Sequence, residues 1–191
     1  MLKRIFDLFF SLFGLFVCFI PMFILIFLAT ISTKKLGLYT QKRVGKHAIL
    51  FTMFKIRTMK GEDDEVFMTL QSNNRITPFG KFLRKFKLDE LPQLFNVFIG
   101  NMSLVGPRPD VVGYADELVG TDRIILTIKP GITGPATIKF KNEEAILEHQ
   151  INPLKYNDEV IWKEKIRINK KYIEDWTLIG DLKFILKTIF G

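Results

Sequence analysis

The chain has 191 residues, a formal net charge of +8 from 28 Lys and Arg against 20 Asp and Glu, and 48% hydrophobic residues. This composition excludes a disordered chain and allows one domain of ordinary size. The lone cysteine, Cys18, excludes an internal disulfide framework, and two histidines, His47 and His149, argue against a His-rich metal centre. Any chemistry must come from carboxylates, Lys and Arg, hydroxyls or backbone.

The charge is unevenly spread. Residues 1–60 carry ten basic side chains and one acid, 61–74 four acids and no base, 75–110 six basic and three acidic, and 111–191 twelve of each. The excess belongs to the first 110 residues, where it suits nucleic acid, anionic lipid or a phosphorylated substrate.

From Leu8 to Thr33 there are 26 residues without a charge, enough for a helix to cross a bilayer. Three readings compete. A cleavable signal peptide shares the basic start at Lys3 and Arg4, but its apolar core is shorter and Asp7 is out of place in it. A spanning helix has Pro21 at its centre and basic residues at both flanks, Lys3 and Arg4 before it and Lys34, Lys35, Lys42 and Arg43 after it. Cationic flanks favour the cytoplasm, and one span cannot put both there. A helix that enters, breaks at Pro21 and returns can, because proline withholds the N–H that the Val17 carbonyl would accept. The flanks favour this re-entrant form. Residues 1–35 then make a membrane helix and residues 36–191 a cytoplasmic, membrane-associated body, and nucleic acid becomes the weaker account of the positive charge.

Residues 39–44 and 49–58 read as two strands around Gly45-Lys46-His47, a hairpin. On the second, Phe51, Met53, Lys55 and Arg57 share one face and Thr52, Phe54 and Ile56 the other. The acidic stretch 61–74 reads as a surface loop. Thr77 caps a helix that opens with Pro78. Phe79, Phe82, Leu83 and Phe86 form its apolar face, beside Lys81, Arg84, Lys85 and Lys87, a pattern that fits an interfacial helix and a core-packed one equally. A second helix runs from Leu88 or Pro92 to Ile99 and stops at Gly100. Residues 103–109 (SLVGPRP) and 129–135 (KPGITGP) are rigid and non-helical. Residues 154–175 are charged and helical. The last stripe, Leu182, Ile185, Leu186 and Ile189 with Lys183 and Lys187 beside it, reads as core rather than membrane surface.

Candidate chemistry lies between Lys55 and Arg108. Asp89 and Glu90, taken alone, would merely complement a helix dipole. Arg84, Arg108 (between Pro107 and Pro109) and the strand cations Lys55 and Arg57 change that reading. Several held cations near two carboxylates suggest an anionic substrate handled by the acids. Adjacent acids resist joint ionisation unless cations or a metal offset them; phosphate with Mg²⁺ would supply that balance.

The segments YTQKRVGKHAILFTMFKIRTM (39–59), FGKFLRKFKLDELPQLFNVFIGNMSLVGPRP (79–109) and KPGITG (129–134), after an N-terminal KRIFD and an apolar run interrupted by proline, resemble the monotopic phosphoglycosyl transferases, the bacterial sugar transferase family of small single-domain type. The resemblance is strong from residue 3 to about 135 and weak beyond. It implies a mainly α fold with a small β-hairpin, interfacial amphipathic helices and an N-terminal re-entrant membrane helix broken at Pro21. It also implies transfer of a sugar-1-phosphate from a UDP-sugar to polyprenyl (undecaprenyl) phosphate at the cytoplasmic face of the bacterial inner membrane, with release of UMP. By the family pattern Asp89 is the nucleophile, Glu90 helps hold Mg²⁺ (or Mn²⁺), and Lys55, Arg84 and Arg108 contact phosphate or support the acids, with Arg57 beside them as a binding candidate. Membrane lipids, and later glycosyltransferases of the same pathway, are the implied partners. One departure stands out: where the family commonly has Gln-x-Asn-Gly-Arg, residues 136–142 read ATIKFKN, so the sugar is not legible, although Lys139 and Lys141 offer replacement charge. The composition alone also fits a catalytically inert, basic membrane-surface scaffold, which would have no need of both the acid pair and Pro107-Arg108-Pro109.

Overall fold

A computed structural model describes residues 1–61 and 75–191; the acidic loop expected at 61–74 lies, from Glu62 on, outside the described residues. The fold is mainly helical with a two-stranded antiparallel hairpin behind a long apolar N-terminal helix. By packing, the chain forms two compact units, one of Met1–Arg43 with Phe51–Met102, the other of Val44–Leu50 with Ser103–Gly191. This division by packing differs in kind from the membrane–cytoplasm boundary that hydropathy draws at residue 35.

In the first unit, α1 (Leu2–Thr33) is one uninterrupted helix with Pro21 inside it. Proline withholds one donor, but its fixed φ is itself helical, and helical turns continue on both sides of Pro21. The helix is inverted relative to a water-soluble one. Its buried residues are Asp7, Ser11, Ala29 and Thr33, while Phe9, Phe13, Phe16 and Phe27 are exposed. Apolar surface of that extent marks a membrane-facing segment. The buried side packs on the rest of the unit. Arg4 donates to the Val97 and Phe98 carbonyls at 2.6 and 2.8 Å, and Ala29 joins Ile56 and Leu83 in a core that Leu25, Ile26, Phe79 and Leu88 flank.

Strands β1 (Leu38–Val44) and β2 (Leu50–Ile56) form the hairpin around a short 3-10 turn at Lys46–Ala48. Helix α2 (Pro78–Lys85) begins at Thr77, whose hydroxyl accepts from the Gly80 N–H at 2.9 Å. Its face divides: Leu83 is fully buried, whereas Phe82 and Phe86 are exposed and in mutual ring contact. Lys87, at φ 54°, reverses the chain into a 3-10 turn at Leu88–Glu90, and α3 (Gln93–Ile99) follows and ends at Gly100.

In the second unit the two rigid segments pair. Strand β3 (Ser103–Val105) runs parallel to β4 (Gly131–Thr133), with Ser103 opposite Gly131 and Val105 opposite Thr133. Just beyond, Gly131 N–H donates to the Pro107 carbonyl at 2.7 Å and Gly106 N–H to the Thr133 carbonyl at 2.9 Å. The backbones are so close that a Cβ on Gly131 would lie 2.1 Å from the Gly106 nitrogen, so only glycine fits. Helices α4 (Pro135–Lys139), α5 (Glu143–Glu148), α6 (Pro153–Tyr156), a π-turn at Asn157–Trp162 and α7 (Lys163–Glu174) follow. Val44, Ala115, Ile125, Leu126 and Ile166 form the core.

The last helix, α8 (Leu178–Phe190), overturns the expectation that its apolar stripe is core. Leu182, Leu186 and Ile189 are exposed, and the fully buried residue is Asp181. The side of α8 that carries Asp181 is fixed by polar partners: Tyr172 and Trp176 donate to Asp181 at 2.7 and 3.0 Å.

Candidate active site

The acid pair sits on the 3-10 turn between α2 and α3. Asp89 is buried and Glu90 nearly so, with side-chain exposures of 10% and 12%. From β2, the Lys55 ammonium reaches both: Nζ lies 3.6 Å from Asp89 Oδ2 and 3.6 Å from Glu90 Oε1. These are ion-pair rather than hydrogen-bond distances. The Lys55 ammonium thus lies equally close to two adjacent carboxylates.

Three elements hold this triad. The Lys87 reversal turns the chain from α2 so that Asp89 and Glu90 follow in a single tight turn, closed by the Glu90 N–H to the Lys87 carbonyl at 3.2 Å. The strand that carries Lys55 is tied to α3 by Asn96, which is fully buried. Asn96 Oδ1 accepts from the Phe54 N–H at 3.0 Å, and its Nδ2 donates to the Thr52 carbonyl at 2.7 Å. The Asn96 backbone carbonyl in turn accepts from the N–H groups of Gly100, Asn101 and Met102.

Of the other expected residues, Arg84 is anchored beside the end of the hairpin. Its Nε donates to Thr58 Oγ1 at 3.1 Å, and its Nη2 lies 3.4 Å from Met59 Sδ. Arg57 lies beyond the end of β2. It donates to the Leu36 carbonyl at 2.9 Å and holds its guanidinium 5.1 Å from the Tyr39 ring centroid. Arg108 belongs to the second unit and is exposed, on a backbone held by the Pro107–Gly131 bond. Lys139 and Lys141 are committed locally, the first to Glu164 at 2.7 Å and the second to the Gly191 carbonyl at 3.0 Å. Sequence reasoning passed over Asn96 and Thr58. An asparagine inside the apolar run QLFNVFI was the one visible signal for the former.

Among the described residues no group of three or more His, Cys, Asp and Glu side chains could form a protein-only metal cage. Two adjacent carboxylates instead fit the mode in which Mg²⁺ takes one or two carboxylates and completes its shell with substrate phosphate and water.

The family model described as bacterial sugar transferase matches residues 1–191. The chain belongs to that family. This sugar transferase is 35% identical over 191 residues to the uncharacterized sugar transferase EpsL of Bacillus subtilis (strain 168), covering 98% of this chain and 85% of that protein. It is 32% identical over 204 residues to the undecaprenyl-phosphate galactose phosphotransferase of Salmonella typhimurium, covering 98% of this chain and 39% of that protein. It is 33% identical over 196 residues to the UDP-glucose:undecaprenyl-phosphate glucose-1-phosphate transferase of Klebsiella pneumoniae, again covering 98% and 39%. The sugar transferase chain thus spans most of EpsL but about two fifths of the two proteins whose names state a substrate.

Proposed function

We propose that the chain transfers a sugar-1-phosphate from a UDP-sugar to polyprenyl phosphate, releasing UMP, and so begins assembly of a glycoconjugate. The observation that carries this is Lys55 shared between Asp89 and Glu90, in a unit that also contains the membrane-type helix α1. A soluble nucleotide sugar and a lipid-borne acceptor must meet at one surface, and a polar phosphate site carried with an apolar helix supplies it. The names of the Salmonella and Klebsiella relatives support the reaction class.

In the proposed mechanism a carboxylate oxygen of Asp89 attacks the sugar-bearing phosphorus of the UDP-sugar. The bond from that phosphorus to the bridging oxygen breaks, and UMP leaves with that oxygen and its electron pair. The sugar phosphate is then esterified to Asp89, which splits one difficult displacement into two. An oxygen of polyprenyl phosphate next attacks the same phosphorus, the Asp89–phosphorus bond breaks, and the free carboxylate returns. Lys55, released from the acids by the incoming phosphates, neutralises charge on the transferring oxygens. Arg84, in the same unit, adds to that neutralisation. Mg²⁺ held partly by Glu90 would supply further neutralisation of the phosphoryl oxygens when bound.

The chain is also proposed to be monotopic on the cytoplasmic face. Basic residues flank both ends of the apolar run, and residues near both ends of α1, Arg4 and Ala29, pack on the same compact unit. With Cys18 replaced by Ser, cysteines at Lys3 and at Lys35 should both resist an impermeant thiol reagent added to intact cells; labelling of one end alone would establish a true span.

The test of the reaction is UMP release by the purified protein from a panel of UDP-sugars with Mg²⁺ and undecaprenyl phosphate. Release with one or a few sugars, abolished by excess EDTA, is expected. No release with any sugar overturns the reaction, and undiminished release in EDTA overturns the metal.

A further inference from the structure

The Asn96 side chain occupies the place of a neighbouring strand. Its amide accepts from the Phe54 N–H and donates to the Thr52 carbonyl, at 3.0 and 2.7 Å. That is the pair of bonds the N–H and C=O of one residue in a parallel neighbouring strand make to residues i and i+2. The two partners also fix which way round the amide lies, since only its oxygen can accept and only its nitrogen can donate. The residue itself is fully buried.

What this amide spans is informative. Phe54 immediately precedes Lys55, and Asn96 belongs to the helix that follows Asp89 and Glu90 after two intervening residues. The amide is therefore the bracket between the strand that presents the cation and the segment that presents the acids. We infer that Asn96 is a positioning residue: its amide sets the register of β2 against α3 so that the Lys55 ammonium returns to a point equidistant from Asp89 and Glu90. It touches no reacting atom and acts through Lys55. This rests on the proposed phosphoryl transfer only where the consequence is a rate; the placement of Lys55 stands without it.

The experiment has two arms, both on the full chain. The first is competitive acylation of lysines with acetic anhydride, read by mass spectrometry. Asn96→Ala should raise labelling of Lys55 several-fold while Lys81 is unchanged, whereas unchanged labelling of Lys55 overturns the inference. The second is a double-mutant cycle on UMP release. Asn96→Ala and Lys55→Met should each cost about 100-fold in kcat/KM, the size expected of a misplaced group near a reaction. The double variant should be no worse than Lys55→Met alone, because Asn96 acts through Lys55. Multiplied losses, or near-native turnover of Asn96→Ala, contradict the inference. Should Asn96→Ala fail to fold, Asn96→Asp keeps the acceptor for Phe54 and loses the donor to Thr52; if that variant also fails to fold, Asn96 is structural and the inference is wrong. A wild-type protein that releases no UMP would strike the reaction instead and leave the acylation arm intact.

Discussion

Asp89 and Asp181 are both buried acids, 7% and 0% exposed, and their partners differ in kind. Asp181, in the second unit, accepts from the Tyr172 hydroxyl at 2.7 Å and the Trp176 indole N–H at 3.0 Å. Those donors are neutral, short-ranged and fixed by large rings. Asp89, in the first unit, faces a lysine ammonium at 3.6 Å that it shares with Glu90. A flexible four-carbon stem carries that charge. Burial alone therefore does not mark a working carboxylate. An acid tied by neutral ring donors holds a helix in place, whereas in the proposed reaction the Asp89 ion pair opens and Lys55 turns to the phosphate.

The contrast predicts opposite phenotypes. The largest effect belongs to Asp89→Asn, which keeps size and removes the oxygen proposed as the nucleophile. UMP release should fall by at least about 1,000-fold, with the melting temperature in detergent nearly unchanged. Asp181→Ala should do the reverse. It takes the acceptor from the buried Tyr172 hydroxyl, which keeps the Val105 carbonyl at 3.3 Å, and from the more exposed Trp176 indole, at a cost of about 2 kcal/mol, lowering the melting temperature by roughly 4–8 °C, while kcat of the folded fraction is retained. Loss of stability in the first variant, or of turnover without loss of stability in the second, breaks the comparison.

The smallest effect sharpens it with a surface acid. Arg167 and then Lys139 hydrogen-bond to Glu164 and hold its carboxyl down to about 2, below its ordinary 4.5. A depressed carboxyl stabilises the fold above its unfolded value and loses that contribution as pH falls toward 2. Being near the surface, the group is screened, and the whole contribution is under about 1 kcal/mol. Glu164→Gln should therefore flatten the stability profile slightly between pH 4.5 and 2 and leave it unaltered in slope near pH 7, by denaturant titration.

What was legible in the sequence was local or repeated. Thr77-Pro78 announces the start of α2 through a cap that needs three residues, and Gly45 punctuates a hairpin whose strands alternate. The acid pair was visible because two carboxylates beside several cations are costly without a purpose. Illegible features depend on partners distant in sequence. Nothing near Arg57 says that the Leu36 carbonyl and the Tyr39 ring engage it. The parallel pairing of SLV with GIT joins residues 103–105 to 131–133, and only the glycines at 106 and 131 hint at such an approach. The stripe on α8 pointed to the wrong face because apolar periodicity reports a preference for leaving water, and Asp181, with its aromatic donors, decides which side faces the protein.

The most direct test of the central claim is mass spectrometry of the protein incubated with its UDP-sugar and Mg²⁺ in the absence of polyprenyl phosphate. About one UMP per active site should be released at once, and the peptide containing LDELPQ should gain the mass of the sugar phosphate at Asp89. Wild-type turnover with no burst and no adduct would show direct attack by the acceptor and contradict the covalent role of Asp89.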